Sequence, residues 1–149
     1  MGVFCDGTKL FVADTYNSRV LIFNSIPNTS GIASNFVVGQ ADAIQNSSNR
    51  SGSPAANTLS FPQGVFSDGT KLYVADTKNH RVLIWNAIPT SNGEAANSVL
   101  GQPDLISNLI NNGGLSSTSL NNPTGVFVHS GKIYVVDQNN FRVVSKVFP

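Results

Sequence analysis

Charge is what this sequence has least of. Only 11% of its 149 residues are Asp, Glu, Lys or Arg, against about 25% in an ordinary globular domain. Nine basic and eight acidic residues leave a net charge of +1. The basic residues are spread evenly, without the stripe that nucleic-acid binders carry, so nucleic acid is not an expected partner. Cysteine is nearly missing. Cys5 stands alone, which excludes an internal disulfide or a cysteine metal cluster; a small half-buried side chain is expected there. No apolar run approaches the roughly 18 residues of a membrane helix, so no membrane span is expected. No secretory leader is visible either; the chain opens "MGVFCDG". The compartment stays open, and an extracellular or periplasmic one fits the scarcity of cysteine. Helical periodicity of useful length is also lacking.

Catalytic chemistry is equally scarce. Glu94 is the single glutamate. His80 and His129 fall in turns of different repeats, which makes a weak metal pair; exposed turn positions are expected for both. No Ser-His-Asp arrangement and no phosphate-binding Gly loop can be read, since "NNGG" at 111–114 does not lie between a strand and a helix. No catalytic residue, metal ligand or cofactor is assigned.

What the sequence does have is repetition. "KLFVADTYNSRVLIFNSIP" at 9–27 returns as "KLYVADTKNHRVLIWNAIP" at 71–89 and, worn, as "KIYVVDQNNFRVVSKVFP" at 132–149. Gly2, Gly64 and Gly125 correspond, as do Asp14, Asp76 and Asp137, Asn17, Asn79 and Asn140, and Arg19, Arg81 and Arg142, offset by 62 and then 61 residues. Gly39-Gln40 and Gly101-Gln102 extend the register. A fixed period of this kind marks a repeat architecture.

Each unit reads as short strands. "GVFSDGTKLYVAD" is two apolar runs joined by Asp68-Gly69, where glycine accepts the positive φ of a tight turn. Asp6-Gly7 repeats it, and His129-Ser130-Gly131 is a shifted version. "RVLIWN" forms a third strand, and 98–100 and 36–38 a short fourth. A sheet with one wet face alternates apolar and polar residues. Leu72 to Ala75 and Val82 to Trp85 do not alternate, so both faces need cover. With no helices to provide it, the cover is the neighbouring repeat, which is the packing of a β-propeller. The expected class is therefore all-β, in four-stranded antiparallel meanders. Aromatic columns Phe4, Phe66, Phe127 and Phe11, Tyr73, Tyr134 are expected between them.

Pro62, Gly64 and Val65, the "DG-x-K-L-Y-V-A-D-T" run and the closing "N-x-R-V" resemble the NHL repeat of β-propellers, in a long-looped bacterial form. The resemblance implies a single segment: blade 1 at about 1–40, a loop at 41–61, blade 2 at about 62–102, a loop at 103–122, and a partial blade 3 at about 123–149. That is two complete blades and part of a third, or half of a six-bladed ring. The resemblance carries a fold and little activity.

Asp14, Asn17, Arg19 and their counterparts Asp76, Asn79, Arg81 and Asp137, Asn140, Arg142 are read as structural staples. The hairpin brings Asp and Arg together, and Asn suits the turn backbone. Binding is expected on the two long loops, through Gln45, Asn46, Asn49, Arg50, Asp104, Asn108, Asn111 and Asn112. Little regular structure is expected in them beyond a helical turn near 104–109. The expected function is a non-catalytic scaffold that binds protein or glycan and associates with itself. The alternative is a fragment of a lactonase- or lyase-like propeller enzyme whose catalytic residues lie on other blades. Three blades leave apolar outer columns such as Leu10, Val12, Leu21 and Val135, so a homodimer closing the ring is expected, unless the chain is a piece of a longer one.

Overall fold

The computed structural model describes residues 1–147. The last two residues of the third repeat lie outside the described residues. The chain forms three antiparallel sheets in sequence order, with no α-helix among the described residues. The first holds β1 (Val3–Cys5), β2 (Leu10–Asp14), β3 (Arg19–Phe23) and β4 (Phe36–Val38). The second holds β5 (Gly64–Ser67), β6 (Leu72–Asp76), β7 (Arg81–Trp85) and β8 (Ser98–Leu100). The third has β9 (Pro123–His129), β10 (Lys132–Asp137) and β11 (Arg142–Val147). Every sheet is a meander in which neighbours in sequence pair. The registers repeat: Leu10 faces Phe23 as Leu72 faces Trp85, and Asp14 faces Arg19 as Asp76 faces Arg81.

The β2–β3, β6–β7 and β10–β11 connections are single 3-10 turns closed by a left-handed residue, Ser18, His80 and Phe141 with φ of 50°, 53° and 54°. The inner hairpins differ. In the first two sheets the Asp takes both backbone N–H groups across the turn, Asp6 Oδ1 from Thr8 and Lys9, and Asp68 Oδ1 from Thr70 and Lys71. In the third, Ser130 and Gly131, both at positive φ, make a two-residue turn between paired His129 and Lys132.

The second sheet lies between the other two. Val65, Leu72, Val74, Leu83 and Trp85 pack against Phe11, Ala13, Val20 and Ile22 of the first. Phe66, Tyr73, Val82 and Ile84 pack against Ile133, Val135 and Val144 of the third. All residues of β5, β6 and β7 are buried, which is why their apolar runs do not alternate. The sheets on either side do alternate in burial.

Three expectations are corrected here. Val135 is fully buried against the second sheet, and the open face of the third sheet carries its neighbours Tyr134 and Val136 instead. The side-chain period of a strand is two, so a one-residue error in register exchanges the faces. Cys5 is exposed rather than half-buried, because it lies on the open face of the first sheet opposite Leu10. Phe127 and Tyr134 likewise sit on an open face while Phe11, Phe66 and Tyr73 are buried.

Candidate functional site

The Asp–Asn–Arg sets lie where each sheet meets its long loops. In the second sheet Arg81 Nε donates to Asp76 Oδ2 at 2.8 Å, and Asn79 Nδ2 donates to the same oxygen at 2.8 Å. Asp76 Oδ1 accepts from the backbone N–H of Ser60 at 2.7 Å. The contact recurs at Arg19–Asp14 and Arg142–Asp137, both 2.7 Å. Asp137 Oδ1 accepts from Asn121 N–H as Asp76 does from Ser60. Burial pushes the Asp76 carboxyl up, and the Arg81 guanidinium and the hydrogen bonds from Ser60, Asn79 and Arg81 oppose it.

The rest of the Arg81 guanidinium binds loop backbone. Nη2 donates to Ala55 and Thr58 carbonyls in the loop before the sheet, and Nη1 donates to Leu105 in the loop after it. One buried side chain thus brings the two long loops together. Arg19 reaches forward to Ala43, and Arg142 reaches back to Ser119.

Four of the eight loop residues expected to bind are partly withdrawn into the structure or its turns. Asn49 exchanges amide hydrogen bonds with Asn79, and Asn111 with Asn140, at 2.7 to 3.2 Å. Arg50 reaches the Gly39 and Gly93 carbonyls, and burial lowers its pKa. Asp104 Oδ1 accepts from Ile106 and Ser107 N–H groups. Its carboxyl is held low by hydrogen bonds from Ser107 and Ile106 and by the Arg81 charge. Gln45, Asn46, Asn108 and Asn112 are exposed. The helical turn expected at 104–109 is that Asp-centred turn. The 3-10 segments lie at Ser48–Ser51 and Ile110–Gly113, with Asn49, Arg50, Asn111 and Asn112 left-handed inside them. Asn tolerates that conformation well, and the residue type itself was the available signal.

Sequence reasoning missed the apolar side chains on these loops. The turns centred on Asp42 and Asp104 hold Ile44 and Ile106 outward, 87% and 67% exposed. The second loop adds exposed Leu109, Ile110 and Leu115. Their counterparts one repeat earlier are Ser47, Ser48 and Ser53, an asymmetry visible in the sequence once the loops are aligned. At the base of each loop a buried glutamine anchors the backbone. Gln40 Nε2 donates to Ser18 and Ser47 carbonyls, and Gln102 Nε2 to His80 and Leu109.

A second place differs between repeats. A cleft of about 290 Å³ between the inner turns of the second and third sheets is lined by Asp68, Lys71, Tyr73, His129 and Ile133. Tyr73 donates to Asp68 Oδ2 at 3.0 Å. Burial, then the Asp68 hydrogen bond and charge, pushes the phenol up to about 12. The first sheet has Phe11 at this position and cannot make the contact. His80, expected to be exposed, is half-buried, and its Nδ1 accepts from Asn122 N–H at 3.1 Å. Desolvation and then Lys78 lower its pKa. No group of three or more His, Cys, Asp or Glu converges among the described residues. No helix is long and apolar enough to cross a membrane. No protein-family model and no curated protein matches the chain.

Proposed function

We propose that the chain is a segment of a β-propeller of NHL-like repeats that serves as a rigid scaffold for binding another protein. Its three sheets are the blades, two of four strands and one of three. The observation that carries the reading is the second loop. Its backbone is tied down by Arg81 at Leu105 and Gln102 at Leu109, and its Asn111 side chain by Asn140, while Ile106, Leu109, Ile110 and Leu115 stay exposed. Apolar side chains on a preordered backbone lose little conformational freedom on binding. They suit an apolar protein segment better than a glycan, whose recognition draws on polar groups, since Asn49, Arg50, Asp104 and Asn111 are spent on contacts within the chain. The scaffold's repeated charges are engaged in its own pairs, which supports a binding role over a catalytic one.

The test is selection of a displayed random-peptide library on the protein. Peptides rich in apolar residues should be enriched on the wild type and lose binding at least tenfold on the I106D/L109D variant. Equal recovery on both proteins would overturn the reading. The reading of a propeller enzyme fragment is favoured by one feature, the Asp68–Tyr73–His129 cleft, whose Tyr–Asp hydrogen bond the first sheet cannot make because it has Phe11 there. It predicts lactone or ester hydrolysis that falls in Y73F, and no difference between the two proteins removes it.

A further inference from the structure

We propose that the two open faces of the protein are the two halves of one interface, and that a second copy of the chain fills both, head to tail, in a closed pair. The argument rests on the repeat register, and so on the scaffold reading above. The second sheet turns Val65, Leu72, Val74, Leu83 and Trp85 toward the first sheet. One repeat earlier these are Val3, Leu10, Val12, Leu21 and Phe23; Val3 is exposed and Leu10, Val12 and Leu21 are half-buried on the outer face of the first sheet, while Phe23 is buried. The second sheet turns Phe66, Tyr73 and Val82 toward the third. One repeat later these are Phe127, Tyr134 and Val143, with Ser145 in the place of Ile84, on the open face of the third. The same contact is made twice among the described residues, and its two sides recur without a partner sheet on the outer faces of the first and third sheets.

The inner strands show how close the next sheet must come. A Cβ on Gly2 would lie 2.5 Å from the Gln63 carbonyl oxygen, and one on Gly64 would lie 2.7 Å from that of Thr124. At Gly125 such a Cβ meets only Val136 of its own sheet, so the space that receives a neighbouring backbone is present there too. The Phe4, Phe66 and Phe127 rings form a column of tilted and edge-on contacts at 4.6 and 5.0 Å between centroids. Phe127, the last of them, is 53% exposed, while Phe66 is 7%. Phe4 of the second copy continues the column.

Closure follows from the size and the unlikeness of the faces. A stable interface buries about 1,200–2,000 Å² in total, and an open apolar face of this kind offers only some hundreds. One contact alone falls short; the two contacts of a closed pair are formed together, the second at high effective concentration. Two unlike faces meeting head to tail make either a ring or an open string, and the pair is the smallest ring.

The test is the mass in solution by light scattering at micromolar concentration. The wild type should have twice the 15.8 kDa of the chain. Val3 and Val143 are 68% and 63% exposed, so V3K and V143K should fold, checked by circular dichroism, and each should fall to a monomer. Mixing the two variants leaves only one unaltered contact, which falls short by itself, so the mixture should stay monomeric like either variant alone. I26K, altered in the loop after β3, should stay paired. A monomeric wild type, a mass that climbs without limit, or dissociation by V143K but not V3K would each overturn the proposal. None of these outcomes touches the peptide selection, which reads the loops.

Discussion

At the residue scale, the same Asp–Arg pair has three environments. The Arg81 and Asp76 side chains are 0% exposed, whereas Arg19 and Asp14 are each 16% exposed and Arg142 is 28%. Removing one partner of a buried pair strands the other charge and costs about 3–5 kcal/mol, while a pair open to water is worth far less. R81A should therefore lose about 3–5 kcal/mol in urea unfolding, and R19A and R142A clearly less. Equal losses for all three would mean that burial does not set their worth. His80 gives a pH dependence. Its neutral Nδ1 accepts the Asn122 N–H, and burial lowers its pKa below the usual 6.5. The unfolded chain then binds the proton first, so the contribution is complete above about pH 6.5 and fades as the pH falls toward the folded value. H80S places a hydroxyl where Ser18 Oγ accepts the Phe61 N–H in the first repeat. Its stability should lose this slope below about pH 6.5.

At the scale of the element, the sheets are held by close approach of their inner strands, and the loops by carboxylates. Gly64 sits where its Cβ would press on the backbone of β9, 2.7 Å from Thr124 O and 3.0 Å from Gly125 Cα. Backbone yields less easily than a side chain, so G64A should destabilise by about 1–3 kcal/mol. G69A, in a turn with open space but a φ of 89°, is strained for a different reason and should leave the sheet contact intact. Aromatic near-ultraviolet dichroism from the Phe66–Phe127 pair separates the two. The loops are tied to the sheets at more points than their composition suggests. Ser60 and Asn121 amides are bound to buried carboxylates, and they should exchange with deuterium as slowly as strand amides. R81A should release 55–60 and the Leu105 region together, since one guanidinium holds both.

At the scale of the whole molecule, burial falls off from the middle outward. β5, β6 and β7 are buried along their whole length, while β11 has one buried residue. Repeat arrays gain stability from neighbour contacts, and the second sheet has two neighbours. In the monomeric V143K variant, amide protection should be highest in β6 and β7 and lowest in β1 and β11. Uniform protection would show that the sheets open as one unit rather than from the ends.

The sequence alone determined the period, the strand order within each sheet and the meeting of Asp with Arg, because all three follow from local spacing. A hairpin with a fixed turn must bring its two ends together, whatever surrounds it. The sequence also required cover on both faces of the second sheet, since Leu72 to Ala75 and Val82 to Trp85 leave no polar face. Tertiary structure alone decided which member of each copy is buried. Val74 and Val135 are both enclosed, yet Tyr73 is buried and Tyr134 open, because the third sheet has a neighbour on one side only. It also decided what the loops are. Asn49 and Asn111 look like free surface polar groups until Asn79 and Asn140, 30 and 29 residues away, occupy their amides. Side chains that satisfy one another across such distances leave no local trace, so the polar residues looked available and the exposed isoleucines passed unnoticed.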